Sequence, residues 1–148
     1  FWDFGGQSAQ GLTARVSPQN EAEQALLARW ARTREIRDAV NKEIEAVRTA
    51  GGVGSSLQAN VVVRAGADDQ TLLESLGEDL KFVFITSVAE VAPSADGTLS
   101  VEVTPATAAK CERCWHWRDD VGQDAAHPTI CGRCVSNLHG AGETRTVA

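Results

Sequence analysis

The chain's four cysteines stand as two Cys-x-x-Cys pairs, Cys111/Cys114 and Cys131/Cys134, with sixteen residues between them. Two such pairs separated by about 15 to 20 residues have the spacing of a four-sulfur zinc site. Each short turn lets two sulfurs point at one ion while its backbone amides soften the thiolate charge, and two turns complete a tetrahedron. Gly122, Pro128 and Gly132 supply the bends a small ribbon between the pairs needs. A shell of four protein ligands has no position left for water, so zinc held this way is structural rather than catalytic. The same sulfurs also suit a rubredoxin-type iron centre. Disulfides belong to secreted chains, which this sequence does not resemble. A thioredoxin-like redox pair would use one Cys-x-x-Cys beside a βαβ core rather than two far down the chain.

The residues around the cysteines add binding chemistry. Trp115 follows a ligand directly and reads as packing over the metal-holding turns, while His116 and Trp117 alternate with it. One of these faces outward in that reading, and an exposed aromatic stacks well on an unpaired nucleic-acid base. Arg113 and Arg133 occupy the same slot within each cysteine pair. Together with Arg118 they are candidates for phosphate contacts, or for hydrogen bonds to neighbouring carbonyls. His127 and His139 lack ligand spacing and read as solvent-facing; Asp119-Asp120 reads as a turn. The sequence has no Ser-His-Asp set, phosphate-cradling glycine loop or His-Glu-x-x-His string, and hence no catalytic constellation of its own.

Charge limits what this knob can do. The formal net charge is -6, yet from residue 107 onward five basic residues balance five acidic ones, so the acidity lies upstream. A nucleic-acid contact would then rest on a few placed side chains rather than on a basic field. No apolar run reaches the roughly 20 residues that span a bilayer, and no secretory signal is evident. A cytoplasmic location is the default expectation. The sequence has no methionine and opens on "FWDFGG", which suggests a piece of something longer.

Several elements must position the finger. Residues 1–16 have no clear period and read as a poorly ordered lead-in. Ser17-Pro18 then offers an N-cap and first helical residue, and Glu21 and Glu23 suit the positive end of a helix dipole. Ala22, Leu26, Trp30, Ile36, Val40, Ile44 and Val47 form one face of a helix over 17–52, about 50 Å long, ended by Gly51-Gly52. Such a rod is too long to be covered by this chain alone. Residues 53–106 read as a small α/β junction. It has a half-buried strand over "LQANVVVR" and a short helix capped by Asp68 or Asp69. In "EDLKFVFITS", Leu80, Val83 and Phe84 fit a helical turn through Phe84, while Phe82, Phe84 and Thr86 also fit an alternating strand. Two short strands, "VAEVAP" and "TLSVEVTP", then flank the Ala95-Asp96-Gly97 turn. Residues 107–148 hold the cysteine module.

From Trp30 onward, "VNKEIEAVR", "VGSSLQANV", "LGEDLKFVFITS" and "KCERCWHW…ICGRCVSN" resemble, in that order, the C-terminal part of bacterial isoleucyl-tRNA synthetases. The resemblance implies an α+β chain with three parts: a long helix from the anticodon-binding helical region, a small α/β junction, and a C-terminal four-cysteine zinc ribbon. It implies a class I parent enzyme that activates isoleucine with ATP and transfers it to its tRNA. The His-Ile-Gly-His and Lys-Met-Ser-Lys-Ser signatures of that parent's catalytic domain are absent, so the chain itself is expected to be inactive. Cys111, Cys114, Cys131 and Cys134 match the family's metal ligands. The finger's implied task is to hold the anticodon side of isoleucine tRNA, with Arg113, His116, Trp117, Arg118 and Arg133 as contact candidates. Implied partners are that tRNA and the rest of the synthetase, with no membrane and no DNA, in a monomer. Formamidopyrimidine-DNA glycosylase ends in a similar finger and is a rival reading, although it depends on an N-terminal proline not found here. A zinc ribbon used only for docking protein on protein is the other.

Overall fold

A computed structural model describes residues 20–144. Helix α1 runs Glu21–Thr49. Its cap is Asn20: the Oδ1 atom accepts from the Glu23 amide at 2.9 Å, and Nδ2 donates back to Glu23 Oε1 at 3.2 Å. This reciprocal pair satisfies an orphan donor of the first turn. The Ser17-Pro18 start expected from sequence lies outside the described residues. At the other end, Gly51 adopts φ +80, and the amides of Gly52 and Gly51 bond back to Val47 O and Arg48 O. That is a Schellman stop, which the paired glycines had signalled.

Residues 20–34 fall in one compact unit and 35–144 in another. In the first, Leu26 and Leu27 are exposed. In the second, Ile36, Val40 and Ile44, one helical turn apart, are buried. The second unit's sheet has strands β1 (Ala59–Ala65), β2 (Val88–Pro93) and β3 (Ser100–Pro105), in the order β2-β1-β3. β1 pairs parallel with β2 and antiparallel with β3. Its buried residues Ala59, Val61, Val63 and Ala65 alternate with more exposed ones, as a sheet with one covered face requires. Helices α2 (Ala67–Glu74) and α3 (Leu80–Phe84) pack on the sheet and bury Leu73, Leu80 and Phe84. Each such side chain contributes about 1.5–3 kcal/mol by leaving water.

Two local expectations change. The α2 cap is Gly66, with Asp68 and Asp69 inside the first turn, where they complement the dipole without capping it. The strands flanking Asp96 do not pair with each other. The link between them crosses the end of β1, where the Ser94 amide bonds to Ala65 O at 2.9 Å. Gly66 permits this crossing, since a Cβ there would lie 3.1 Å from Gly97 O.

Between α3 and β2, Ile85 sits at φ 58, ψ 51. A β-branched residue in the left-handed region is strained, and Ile85 is exposed, so no burial of its side chain offsets the strain. Among the described residues no helix is long and apolar enough to cross a membrane.

Candidate metal centre and its surroundings

Strands β4 (Ala109–Lys110) and β5 (Trp117–Arg118) pair antiparallel and carry the Cys111–Cys114 turn between them. Within that turn the Trp115 amide bonds to Cys111 O and the Cys111 amide to His116 O, each at 2.9 Å. Helix α4 (Gly132–His139) begins directly after Cys131, which is its N-cap residue, and carries Cys134 in its first turn. The positive end of α4 therefore faces the sulfur cluster. The Glu112 amide reaches Thr129 O at 3.1 Å and joins the two halves.

All four sulfurs lie within 4.8 Å of one another, and Cys111, Cys131 and Cys134 are fully buried. Cys111 and Cys134 sulfurs are 3.8 Å apart, and those of Cys114 and Cys131 3.7 Å. A tetrahedral ion with zinc–sulfur bonds of about 2.3 Å has sulfur–sulfur edges of about 3.8 Å. The donor set and the spacing both fit one zinc ion. The charges agree with this. Burial pushes the Cys111 thiol up, but the amides of Cys114, Cys131 and Arg113 outweigh it and leave the thiol below its ordinary value. Burial and the neighbouring sulfurs push Cys114 up, and burial does the same to Cys131. Gathering four sulfurs in one buried cluster disfavours placing several negative charges there, and a bound dication offsets that charge. One structural zinc is the resident cofactor that the cluster supports.

The expected contact residues are not equally available. Trp115, expected to pack over the turns, is 59% exposed. It sits at φ 64, with its indole N–H on Glu112 O at 3.1 Å and Lys110 Nζ 5.5 Å from its ring. Trp117 is half-buried. His116, expected as a contact candidate, is instead buried: Nδ1 lies 3.1 Å from Cys114 O, and Nε2 is enclosed without a hydrogen-bond partner. Burial also holds its pKa below the ordinary imidazole value. A left-handed residue at position 115 breaks the two-residue alternation on which the outward reading of His116 depended.

The arginines have internal partners. Arg113 points a guanidinium nitrogen at Cys134 Sγ, 3.7 Å away, while remaining exposed. Arg118 makes a two-point contact with Asp120. Arg133 is gripped by Glu143 at 2.5 and 2.8 Å and lies over the Phe82 ring. Asp120 is part of a turn, as expected. His127 and His139 stack on each other at 4.0 Å, with His127 half-buried. Sequence reasoning gave no role to Phe82 and Ser87, which contact His116, Arg133 and the Trp117 amide of the finger. Both lie in "LGEDLKFVFITS", a stretch used for its resemblance and not for any contact of its side chains. The exposure of Trp115 follows from a backbone φ that spacing does not show.

These features define a four-cysteine zinc-finger segment on an α+β scaffold. A family described as "Zinc finger found in FPG and IleRS" matches residues 109–137. The chain is 63% identical over 124 residues to isoleucine–tRNA ligase of Bordetella petrii, covering 84% of this chain and 13% of the relative. It is 53% identical over 132 residues to that of Cupriavidus pinatubonensis, covering 88% and 14%. To the ligase of Azoarcus sp. it is 50% identical over 137 residues, covering 92% and 15%. The chain corresponds to the C-terminal, finger-bearing region of isoleucine–tRNA ligase. It spans only 13 to 15% of the length of these relatives.

Proposed function

We propose that this chain is the tRNA-binding end of an enzyme that joins isoleucine to its tRNA using ATP, working in the cytoplasm as a monomer. The chemistry lies in the remainder of the enzyme, which is the chain's covalent partner. In this reading 17–52 belongs to the anticodon-binding helical region, 53–106 is the junction, and 107–148 is the finger, with residues 1–16 as a lead-in. The observation that carries it is the 63% identity to a protein of that name. Cys111, Cys114, Cys131 and Cys134 hold the zinc, which fixes a fold too small to have its own core. Trp115 presents a stacking face for an unpaired base of the anticodon loop, with Lys110 and the exposed Arg113 beside it for phosphate. Trp117 and Arg118 are secondary contacts.

The test is binding of the zinc-loaded chain to isoleucine tRNA at low salt, beside the same tRNA with a changed anticodon. Preference for the native anticodon, lost on chelation and reduced by Arg113→Glu, supports the reading. Equal binding of both tRNAs sinks the anticodon role. A second reading has its own observation: Arg133 and His116 are turned inward onto Phe82. The finger then serves mainly to brace the architecture, and charge reversal at Arg113 leaves tRNA affinity and its salt slope unchanged.

A further inference from the structure

We propose that Phe82 and Ser87 are a socket that seats the finger on the sheet, so that zinc occupancy sets the stability of α3 and the start of β2. The proposal does not depend on whether the finger touches RNA.

The Phe82 ring is clasped from two directions. His116, two residues past Cys114, meets it edge-on, with centroids 5.5 Å apart and planes at 73°. Arg133, from between Cys131 and Cys134, places its guanidinium carbon 4.8 Å from the ring centre. One jaw thus comes from each cysteine pair. The Glu112 amide on Thr129 O and the Gly132 amide on Asp120 join the two halves at single points, and an ion binding all four sulfurs adds the link that holds the width of the clasp. Glu143 holds Arg133 from behind, and its own amide is fixed by Asn137 Oδ1 at 2.8 Å. The guanidinium is therefore not free to swing away.

Ser87 is the second point of attachment. It is buried, its amide bonds to Ala59 O at 3.0 Å, and its hydroxyl donates to Leu57 O at 2.5 Å. The same oxygen accepts the Trp117 amide at 2.6 Å, which ties β5 to the sheet. Phe82 and Ser87 lie on either side of the left-handed Ile85, and this bend turns the chain from α3 into β2. A strained bend between two anchor points on one partner is what a rigid seat needs.

The experiment is hydrogen exchange on the full chain, zinc-loaded and chelated, followed in peptides covering 80–93. Zinc content is measured separately. Chelation is expected to speed exchange there at least about tenfold. In Phe82→Leu, zinc still binds at one ion per chain, but exchange at 80–93 loses more than half of its dependence on it, the Ser87 attachment remaining. Arg133→Gln removes one jaw without touching the α3 core and halves the zinc-dependent difference or more, which keeps the test available if the Phe82 variant does not fold. If chelation deprotects 111–139 while 80–93 stays as protected as before, the finger is an independent module and the proposal is overturned. Full zinc dependence in both variants overturns it equally.

Discussion

Arg118 and Asp120 form a closed fork, Nε to Oδ1 at 2.9 Å and a second guanidinium nitrogen to Oδ2 at 3.3 Å, and Oδ2 also accepts the Gly132 amide at 3.1 Å. Asp120 therefore ties β5 to the first residue of α4, next to a metal-binding cysteine. Burial opposes its ionised form, but Arg118 and the Gly132 amide prevail and hold the carboxyl below its ordinary range.

Asp120→Ala should accordingly destabilise the zinc-loaded chain by about 1–3 kcal/mol, the worth of hydrogen bonds to a charged, partly buried group. Asp119→Ala, at the exposed neighbour, should stay within about 0.5 kcal/mol of wild type. Thermal denaturation of both variants at saturating zinc checks this, and equal losses would remove Asp120 from the finger's framework.

Gly122 stands at φ +81, and a Cβ there would meet Pro128 O at 2.9 Å. Both the backbone angle and the space exclude a side chain. Gly122→Ala should lower stability by about 1–3 kcal/mol and shorten the time the chain retains zinc against a chelator. Unchanged retention would mean that the 119–130 loop is irrelevant to the ion.

Ile85 offers a gain rather than a loss. Asparagine tolerates the left-handed region better than a β-branched residue, and the Ile85 side chain is exposed. Ile85→Asn is expected to raise stability by about 1 kcal/mol, a few degrees in Tm. A fall in Tm would show that the isoleucine side chain contributes packing that its exposure does not suggest.

Asp96 gives a pH signature far from the metal. Hydroxyls of Thr98 and Ser94 and the Thr98 amide donate to its carboxylate, at 2.6, 2.7 and 3.0 Å, and hold its pKa at about 2 against an ordinary 3.8. A carboxyl depressed on folding adds stability above its unfolded pKa and loses it as pH falls towards the folded one. The Tm advantage of wild type over Asp96→Asn should therefore be constant above about pH 4, then shrink between 3.8 and about 2. A difference that persists unchanged at pH 2 would contradict this.

Trp115 separates stability from binding. Glycine fits its φ of 64 without strain, so Trp115→Gly should fold at least as well as wild type. Under the proposed tRNA-binding role, loss of a stacked base costs about 1–3 kcal/mol, or roughly tenfold or more in affinity for isoleucine tRNA. Parallel measurement of Tm and tRNA binding tests both, and undiminished affinity would count against the proposed base contact at Trp115.

The metal cluster was legible because sulfur spacing and coordination geometry leave few alternatives, and β1 because its alternation at Val61 and Val63 is strict. The stop at Gly51 follows from a backbone angle few other residues accept. The partners of Arg113, Arg118 and Arg133 were not legible. Long side chains reach groups fixed by tertiary contacts, such as Glu143 ten residues from Arg133. The pairing of β2 and β3 with β1 rather than each other also escaped, because a turn like that at Asp96 looks local whether or not the strands it joins are neighbours. His116 was misplaced for a related reason: strand parity does not survive the left-handed residue before it.

The middle strand of the sheet is the first one made. As the chain leaves a ribosome, β1 emerges with no neighbour and must wait for β2 and then for β3, so the sheet closes only after Pro105 has appeared. The first cysteine pair follows at Cys111 and Cys114, the second only at Cys131 and Cys134, and Ser87 is in place before any of them. Metal capture thus comes last in this region and acts on a surface that synthesis has already completed.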